Sequence, residues 1–227
     1  VTTAQLDKRA DEFIRDHGAV PGFLGYNGFP NSICTSVNEQ IVHGIPSDKT
    51  VLNDGDIISI DCGAYINGFH GDSAYTFTVG EVKQEILDLL RTTKESLYLG
   101  IEQAVEGKRL GDIGNAIQSH CEAHGYSVVR EMIGHGVGRN LHESPEVPNY
   151  GRKGYGTLLK SGMTIAIEPM INMGKRQLVF EKDGWTTRTA DRMPSAHFEH
   201  SVAIRKGKAD ILSSFEYIEQ VLETKIN

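Results

Sequence analysis

Two aspartates interrupt a segment of this 227-residue chain that otherwise has the pattern of a β-hairpin. Asp61 ends one apolar run and Asp72 precedes a second, with the turn-forming dipeptide Asn67-Gly68 between them. With a two-residue turn at that dipeptide, Asp72 lies opposite Gly63, and Asp61 is its diagonal neighbour on the same face, about 7 to 8 Å away. The spacing therefore predicts paired carboxylates that could hold two metal ions roughly 3.5 to 4 Å apart.

The alternative interpretation of this pair is two ordinary solvated strand residues, and a β-bulge in either strand would break the register. The apolar neighbours Ile58, Ile60 and Phe77 disfavour the solvated interpretation, because a charged group among core residues needs a partner. Gly63, which has no side chain, is expected to leave the space between the two carboxylates open.

Three further side chains are candidate partners because each lies in an apolar or glycine-rich setting: His135, Glu168 and Glu199. Four converging carboxylates would repel one another by about 4 kcal/mol per close pair at an effective dielectric constant near 20, and no run of lysines offsets this. Cations are therefore needed to make the cluster stable. Four carboxylates and one imidazole suit two divalent ions chosen from Mn, Fe(II), Co and Zn.

Other motifs have weaker functional interpretations. The glycines at 134, 136 and 138 do not have the GxGxxG spacing of a dinucleotide loop, and no GxSxG nucleophile motif is present. His43 and His142 each fit a structural role as buried, hydrogen-bonded histidines. Both also lie in loops near the predicted centre, where polar groups often contact ligands.

Helices must surround this hairpin. An amphipathic helix is predicted near the start of the chain, with Leu6, Ala10, Phe13 and Ile14 on one face and Gly18 as its stop. A second helix is predicted over about residues 81–105, and a shorter one that ends near residue 125. Helices therefore alternate with strand-like segments.

A weak internal repeat relates the two halves of the chain at an offset of 107 residues. At this offset Asp61 corresponds to Glu168, and the apolar residues before each of them also correspond. Two similar halves usually pack about a pseudo-two-fold axis, so a strand from each half would present its carboxylate to a shared centre. With no Pro/Gly/Ser linker between the halves, we expect one domain over residues 1–227.

Composition limits the functional class. The net charge of −7 and the absence of a basic run argue against a nucleic-acid substrate. Three cysteines without CxxC spacing argue against a disulfide framework. No apolar stretch approaches the ~20 residues that span a bilayer, so we expect a soluble, cytoplasmic protein without a membrane partner.

Together these residues resemble one family, the type I methionine aminopeptidases of metallopeptidase family M24. The resemblance extends from about residue 3 to residue 205. It implies an α+β pita-bread fold, with a pseudo-two-fold antiparallel sheet and helices packed on its outer face. The spacing of 31 positions from Glu168 to Glu199 leaves no room for the helical insertion of type II enzymes, which favours type I. The matching motifs are Asn38-Glu39, His43-Gly44-Ile45-Pro46, Asp61, Gly68-Phe69-His70-Gly71-Asp72, Gly134-His135-Gly136-Val137-Gly138, Glu168-Pro169, Asp183-Gly184-Trp185 and Glu199-His200.

The resemblance implies a role for each candidate metal ligand. One ion would be held by Asp72, His135, Glu168 and Glu199, and the other by Asp61, Asp72 and Glu199. Glu168 would also move the proton of the attacking water to the leaving amine.

It also implies the groups that contact the substrate, a peptide or nascent-protein N-terminus. His142 would hydrogen-bond the scissile carbonyl, and His43 would contact the amide nitrogen or the leaving group. Asn38 and Ser195 match positions near an accessory monovalent-cation site. The methionine side chain would enter an apolar slot formed by Tyr26, Phe29, Cys34, Leu141 and Trp185.

Some features depart from the family pattern or leave alternatives open. Phe23 and Asn27 are unusual at the pocket mouth, and His197 stands where glutamine is usual. The chain begins within the family's first helix, so its N-terminal segment is expected to be missing. A monomer is expected, with the ribosome as a further partner. The alternatives are an Xaa-Pro aminopeptidase or dipeptidase of the same fold, and a pita-bread binding protein without catalysis.

Overall fold

The computed structural model describes residues 1–224, which contain four α-helices. The first begins with a capping box, in which the Thr2 hydroxyl accepts the backbone N–H of Gln5 and the Gln5 side chain accepts that of Thr2. It ends before Gly18, whose φ of 74° reverses the chain. The helices are α1 Thr3–Asp16, α2 Gln84–Gln103, α3 Leu110–Ala123 and α4 Glu216–Thr224.

The three predicted helices are confirmed as α1, α2 and α3, whereas α4 was not predicted. Phe13 was wrongly placed on the buried face of α1: it is 56% exposed and lies against the ring of His17. Ile14 is the buried apolar side chain of that helix. No helix within residues 1–224 is long and apolar enough to cross a membrane.

The strands form small antiparallel sheets. The described strands are β1 Val20–Pro21, β2 Cys34–Val37, β3 Gln40–Val42, β4 Ile57–Ile66, β5 Phe69–Thr78, β6 Ser127–Val128, β7 Gly134–Gly136, β8 Glu143–Val147, β9 Thr164–Ile167, β10 Met170–Asn172, β11 Leu178–Phe180, β12 Thr187–Thr189, β13 Ser195–His197, β14 His200–Ala203 and β15 Asp210–Ile211. The longest pair is the hairpin β4–β5, and a second sheet has the strand order β15-β14-β9-β7-β8.

The β4–β5 hairpin has the predicted register. Gly63 pairs with Asp72 and Asp61 pairs with Ala74, without a bulge along the ten paired positions. Asn67 and Gly68 at the turn have φ angles of 53° and 87°, which are the left-handed values that a tight hairpin turn requires. The two carboxylates therefore project from the same face, as predicted.

The internal repeat is visible in the element boundaries. Helices α1 and α3 are both 14 residues long, and their first residues, Thr3 and Leu110, are separated by the predicted offset. Strands β4 and β9 begin at the same offset, at Ile57 and Thr164. The second half thus repeats the helix and the acidic strand of the first.

The main core lies between the helices and the strands. Leu89 and Leu97 of α2 and Ile117 of α3 are fully buried against Ile167 and Phe198 from the strands. The helices cover one side of the sheets and leave the other side to line a cavity. The arrangement confirms the predicted α+β class.

Candidate metal centre

The hairpin and the second-half sheet are joined by hydrogen bonds at the two central acidic residues. The Ser201 hydroxyl of β14 accepts the backbone N–H of Asp72 at 3.1 Å and donates to its carbonyl at 2.8 Å. The backbone N–H of Glu199 donates to the carbonyl of Ala74 at 2.9 Å, and the Ser73 hydroxyl donates to the Glu199 carbonyl at 3.0 Å. These bonds fix both carboxylates relative to each other.

His135 is held by its own strand. A Cβ on Gly134 would lie 2.3 Å from the Ala166 carbonyl oxygen, and one on Gly136 would lie 2.4 Å from that of Ser144. The strands therefore approach too closely for any residue but glycine on either side of the histidine. The His135 Nδ1 is 2.9 Å from the Gly136 carbonyl oxygen, so Nδ1 carries the proton and Nε2 is available as a ligand.

The cluster brings together all five predicted side chains. Asp72, His135 and Glu199 each offer one ligand atom, and these atoms lie within 4.8 Å of one another. The Nε2 atom of His135 is also 3.5 Å from Oε1 of Glu168. Asp61 lines the same cavity as Asp72. It pairs across the hairpin with Ala74, two residues after Asp72, so the two aspartates lie on the same face of the hairpin.

Unpartnered oxygen atoms show that the residues fit a metal centre. Asp61 Oδ1, Asp72 Oδ1 and Glu199 Oε1 are buried and have no hydrogen-bond partner. Within residues 1–224 no lysine or arginine forms an ion pair with these carboxylates or with Glu168. The charged-group neighbours are imidazoles: His135 lies beside Asp72 and Glu168, and His197 beside Glu168. Buried carboxylates without a compensating charge are costly, and divalent cations would supply that charge.

Without metal, the four carboxyl groups of the cluster have no cation to compensate their charge, and their pKa values are raised. Burial raises the pKa of Asp72 to about 7. Burial, together with the charge of Asp72, raises the pKa values of Asp61, Glu168 and Glu199 well above their usual range. Metal binding must therefore displace protons from this cluster.

Two further predicted histidines lie in the same cavity. His43 has a φ of 60° and is followed by Gly44, where a Cβ would lie 2.1 Å from the carbonyl oxygen of Thr35. Burial lowers the pKa of His43 to about 4. The Nδ1 atom of His142 lies 3.0 Å from the Tyr26 hydroxyl, and its ring is 4.0 Å from that of His135.

An apolar slot adjoins the cluster. The five predicted pocket residues form it together with Phe23 and Ile45, and the whole cavity has a volume of about 620 Å³. The expectation that Gly63 leaves open space is wrong, since a Cβ there would lie 2.5 Å from the Phe23 ring. The missing side chain of Gly63 makes room for that ring. The predicted slot residues are Tyr26, Phe29, Cys34, Leu141 and Trp185.

The two residues matched to a monovalent-cation site are neighbours. The backbone N–H of Ser195 donates to the carbonyl of Asn38 at 3.0 Å. The Asn38 side-chain amide donates to the Asp56 carboxylate and accepts the backbone N–H of Ile57. The Ser195 hydroxyl donates to the side-chain oxygen of Asn172. Their predicted role stays a prediction.

Sequence reasoning missed the place of His197. Its side chain is 2% exposed, and its Nε2 atom lies 3.7 Å from Oε2 of Glu168. Burial and the nearby His43 lower the pKa of His197 to about 3. The sequence does show that His197 replaces the glutamine usual in the family. A single sequence does not show that this side chain lies beside Glu168.

Stability should depend on pH differently with and without metal. The folded pKa of Asp72 is about 7 against an ordinary 3.8, so the metal-free folded protein holds an extra proton between these values and loses stability as the pH rises through about 7. The raised pKa values of Asp61, Glu168 and Glu199 add to this loss. The lowered pKa values of His43 and His135, about 4, act oppositely. Between about pH 4 and 6.5 the unfolded chain binds more protons at these two histidines than the folded protein does. Their contribution to stability therefore rises with pH in this range and offsets the loss from the carboxylates.

We therefore expect the melting temperature of chelator-treated protein to fall as the pH rises above about 6.5, where the histidines no longer offset the carboxylates. Saturating Mn²⁺ should abolish the alkaline loss, because the bound carboxylates carry no protons in the folded state. Calorimetry across this range with chelator or Mn²⁺ measures both profiles. Parallel profiles would show that the cluster does not take up the ion.

Comparison with known proteins gives a consistent result. The sequence pattern of metallopeptidase family M24 matches residues 1–206. A methionine aminopeptidase of Clostridium acetobutylicum is 51% identical over 216 residues, which cover 95% of this chain and 86% of the relative. Methionine aminopeptidase 1 of Bacillus subtilis is 52% identical over 213 residues, with 94% and 86% covered.

A solved structure has the same fold. The crystal structure of methionine aminopeptidase from Rickettsia prowazekii matches with a TM-score of 0.91 and 46% identity, and the match covers 93% of this chain and 85% of that one. This similarity confirms the predicted pita-bread fold.

Proposed function

The chain belongs to metallopeptidase family M24, and from that premise we propose that it is a methionine aminopeptidase, which hydrolyses the N-terminal methionine from peptides and nascent proteins. The observation that carries this proposal is the juxtaposition, in one cavity, of a buried carboxylate and imidazole cluster with an apolar slot. The cluster suits metal-assisted hydrolysis, and the slot suits an unbranched thioether side chain.

We assign the predicted ligands to two divalent ions. Asp72, His135, Glu168 and Glu199 would hold one ion and Asp61, Asp72 and Glu199 the other, so that Asp72 and Glu199 bridge. The hard oxygen-rich donor set suits Mn, Fe(II), Co or Zn. When bound, the ions supply Lewis acidity that makes water a nucleophile near neutral pH.

Glu168 is assigned the proton transfer. Burial and the charge of Asp72 raise the pKa of its carboxyl group, so its deprotonated form is a stronger base than an exposed glutamate. That suits a carboxylate that would take a proton from the attacking water and then give it to the leaving amine. Its backbone carbonyl accepts the Asn149 amide at 3.0 Å, which fixes the main chain at this residue.

His142 is assigned to the developing oxyanion. When the Tyr26 hydroxyl donates to Nδ1 of His142, the neutral ring carries its proton on Nε2 and can donate it to the scissile carbonyl oxygen. Burial lowers the pKa of His142, which favours that neutral form. His43 would contact the substrate amide nitrogen or the leaving group.

The remaining assignments rest on the family resemblance. They comprise a single catalytic domain over residues 1–227, a monomeric state, cytoplasmic location and contact with the ribosome. They also include a preference for a small second residue and a monovalent cation near Asn38 and Ser195.

A comparison of two peptides tests the proposed activity against its alternatives. With Mn²⁺ present we expect Met-Ala-Ser to be cleaved at least about 100-fold faster than Ala-Pro-Ser, because only methionine fills the apolar slot. Quantifying the released amino acid gives kcat/KM for each peptide. A preference for Ala-Pro-Ser would indicate an Xaa-Pro peptidase, and turnover of neither would indicate a binding protein.

A further inference from the structure

We propose that His197 is a positioning residue whose imidazole N–H holds the outer carboxylate oxygen of Glu168, so that the inner oxygen faces the metal centre. This inference rests on the proposed function, because it concerns the orientation of a residue assigned to metal binding and proton transfer. It assigns a role to a buried side chain that the mechanism above does not use.

The geometry places Glu168 between two imidazoles. Its Oε1 atom lies 3.5 Å from Nε2 of His135, and its Oε2 atom lies 3.7 Å from Nε2 of His197. The Nε2 atom of His197 is buried and lacks a hydrogen-bond partner. A small rotation of the carboxylate towards His197 would shorten this contact to a charge-assisted hydrogen bond of about 2.8 Å.

The backbone of His197 is unusually well fixed. The Thr76 hydroxyl donates to the His197 carbonyl at 2.8 Å and accepts its N–H at 2.9 Å. The Thr76 hydroxyl also lies 2.8 Å from that of Ser59, and His197 pairs with Met170 in the neighbouring strand. The imidazole is therefore presented from a rigid position at the end of β13.

Glu168 needs such a partner. The Asn149 amide fixes its main-chain carbonyl but does not hold its carboxylate. A donor to the outer oxygen limits the rotation of that carboxylate, and such outer partners commonly change metal affinity or activity by 10 to 100-fold when removed. The competing interpretation is that His197 merely fills space beside the cavity, in which case an apolar residue of similar size would serve equally well.

Three variants separate these interpretations: His197→Leu, His197→Asn and His197→Gln. Leucine has no donor, and the asparagine amide is one methylene shorter than that of glutamine, which can place its N–H near the position of Nε2. We expect the leucine and asparagine variants to lose about 10 to 100-fold in kcat and about tenfold in Mn²⁺ affinity. The glutamine variant should recover both to within about threefold, and KM should change little in all three.

The measurements are calorimetric titration of chelator-treated protein with Mn²⁺ and steady-state kinetics on Met-Ala-Ser, with the melting temperature confirming the fold of each variant. Wild-type values for the leucine variant, or a glutamine variant as impaired as the leucine variant, would overturn the inference. If the wild-type protein does not cleave methionyl peptides, the proposed function fails. The Mn²⁺ affinities still decide the role of His197 in that case. Should leucine prevent folding, the asparagine and glutamine pair gives the same test.

Discussion

Replacing Glu199 with alanine is expected to lower kcat/KM for Met-Ala-Ser at least about a thousandfold, which corresponds to about 4 kcal/mol of transition-state stabilisation. Glu199 is proposed to bridge the two ions, so its loss removes one ligand from each. The remaining carboxylates cannot replace it, because Asp72 is already the other proposed bridge. Steady-state kinetics in the presence of excess Mn²⁺ measures the effect.

The same substitution should leave the fold largely intact. The local contacts of Glu199 with the hairpin are made by its backbone N–H and carbonyl, and these remain in the alanine variant. Removing one of four buried carboxyl groups also lowers the cost of burying ionisable groups in the metal-free protein. A matched control is Glu122→Ala, since Glu122 is exposed on α3 and its carboxylate accepts a hydrogen bond from the Gln118 side-chain amide of the same helix. Wild-type-like turnover by Glu199→Ala would refute the bridging assignment.

The hairpin that carries two of the proposed ligands could be predicted from the sequence alone. Strand alternation and the Asn67-Gly68 turn are local signals, and they fixed the register that places Asp72 opposite Gly63. The repeat was also readable, because the same helix and acidic strand occur twice at one offset. The two halves therefore indicate a shared centre.

Contacts between distant segments could not be predicted in this way. The Phe23 ring over Gly63 brings residues from different elements together, and no local pattern encodes that approach. The position of His197 beside Glu168 depends equally on how β13 packs against the hairpin. Helix α4 follows irregular chain near the C-terminus, and its short length gives a weak periodic signal.

The functional roles of the slot residues and the loop histidines could not be predicted from residue patterns alone. Composition and spacing indicated a cation-binding cluster, whereas the apolar slot and the two loop histidines were identified through family resemblance. The structure places these groups around one cavity, which is the geometric requirement for such roles.

Removal of metal should abolish activity as completely as loss of Glu199. Without cations the carboxylates have pKa values raised by burial and mutual repulsion, so protons occupy the cluster in place of ions. None of the neighbouring side chains can supply equivalent Lewis acidity. Rate recovery on reloading should saturate at about two ions per chain, the number that two bridging carboxylates would support.

The measurement that tests this account most directly is methionine release from Met-Ala-Ser by chelator-treated protein, titrated in parallel with Mn²⁺, Fe²⁺, Co²⁺ and Zn²⁺. We predict less than about 1% of the full rate without metal and restoration by at least one of these ions. Full turnover by protein that elemental analysis shows to be free of metal would contradict the account.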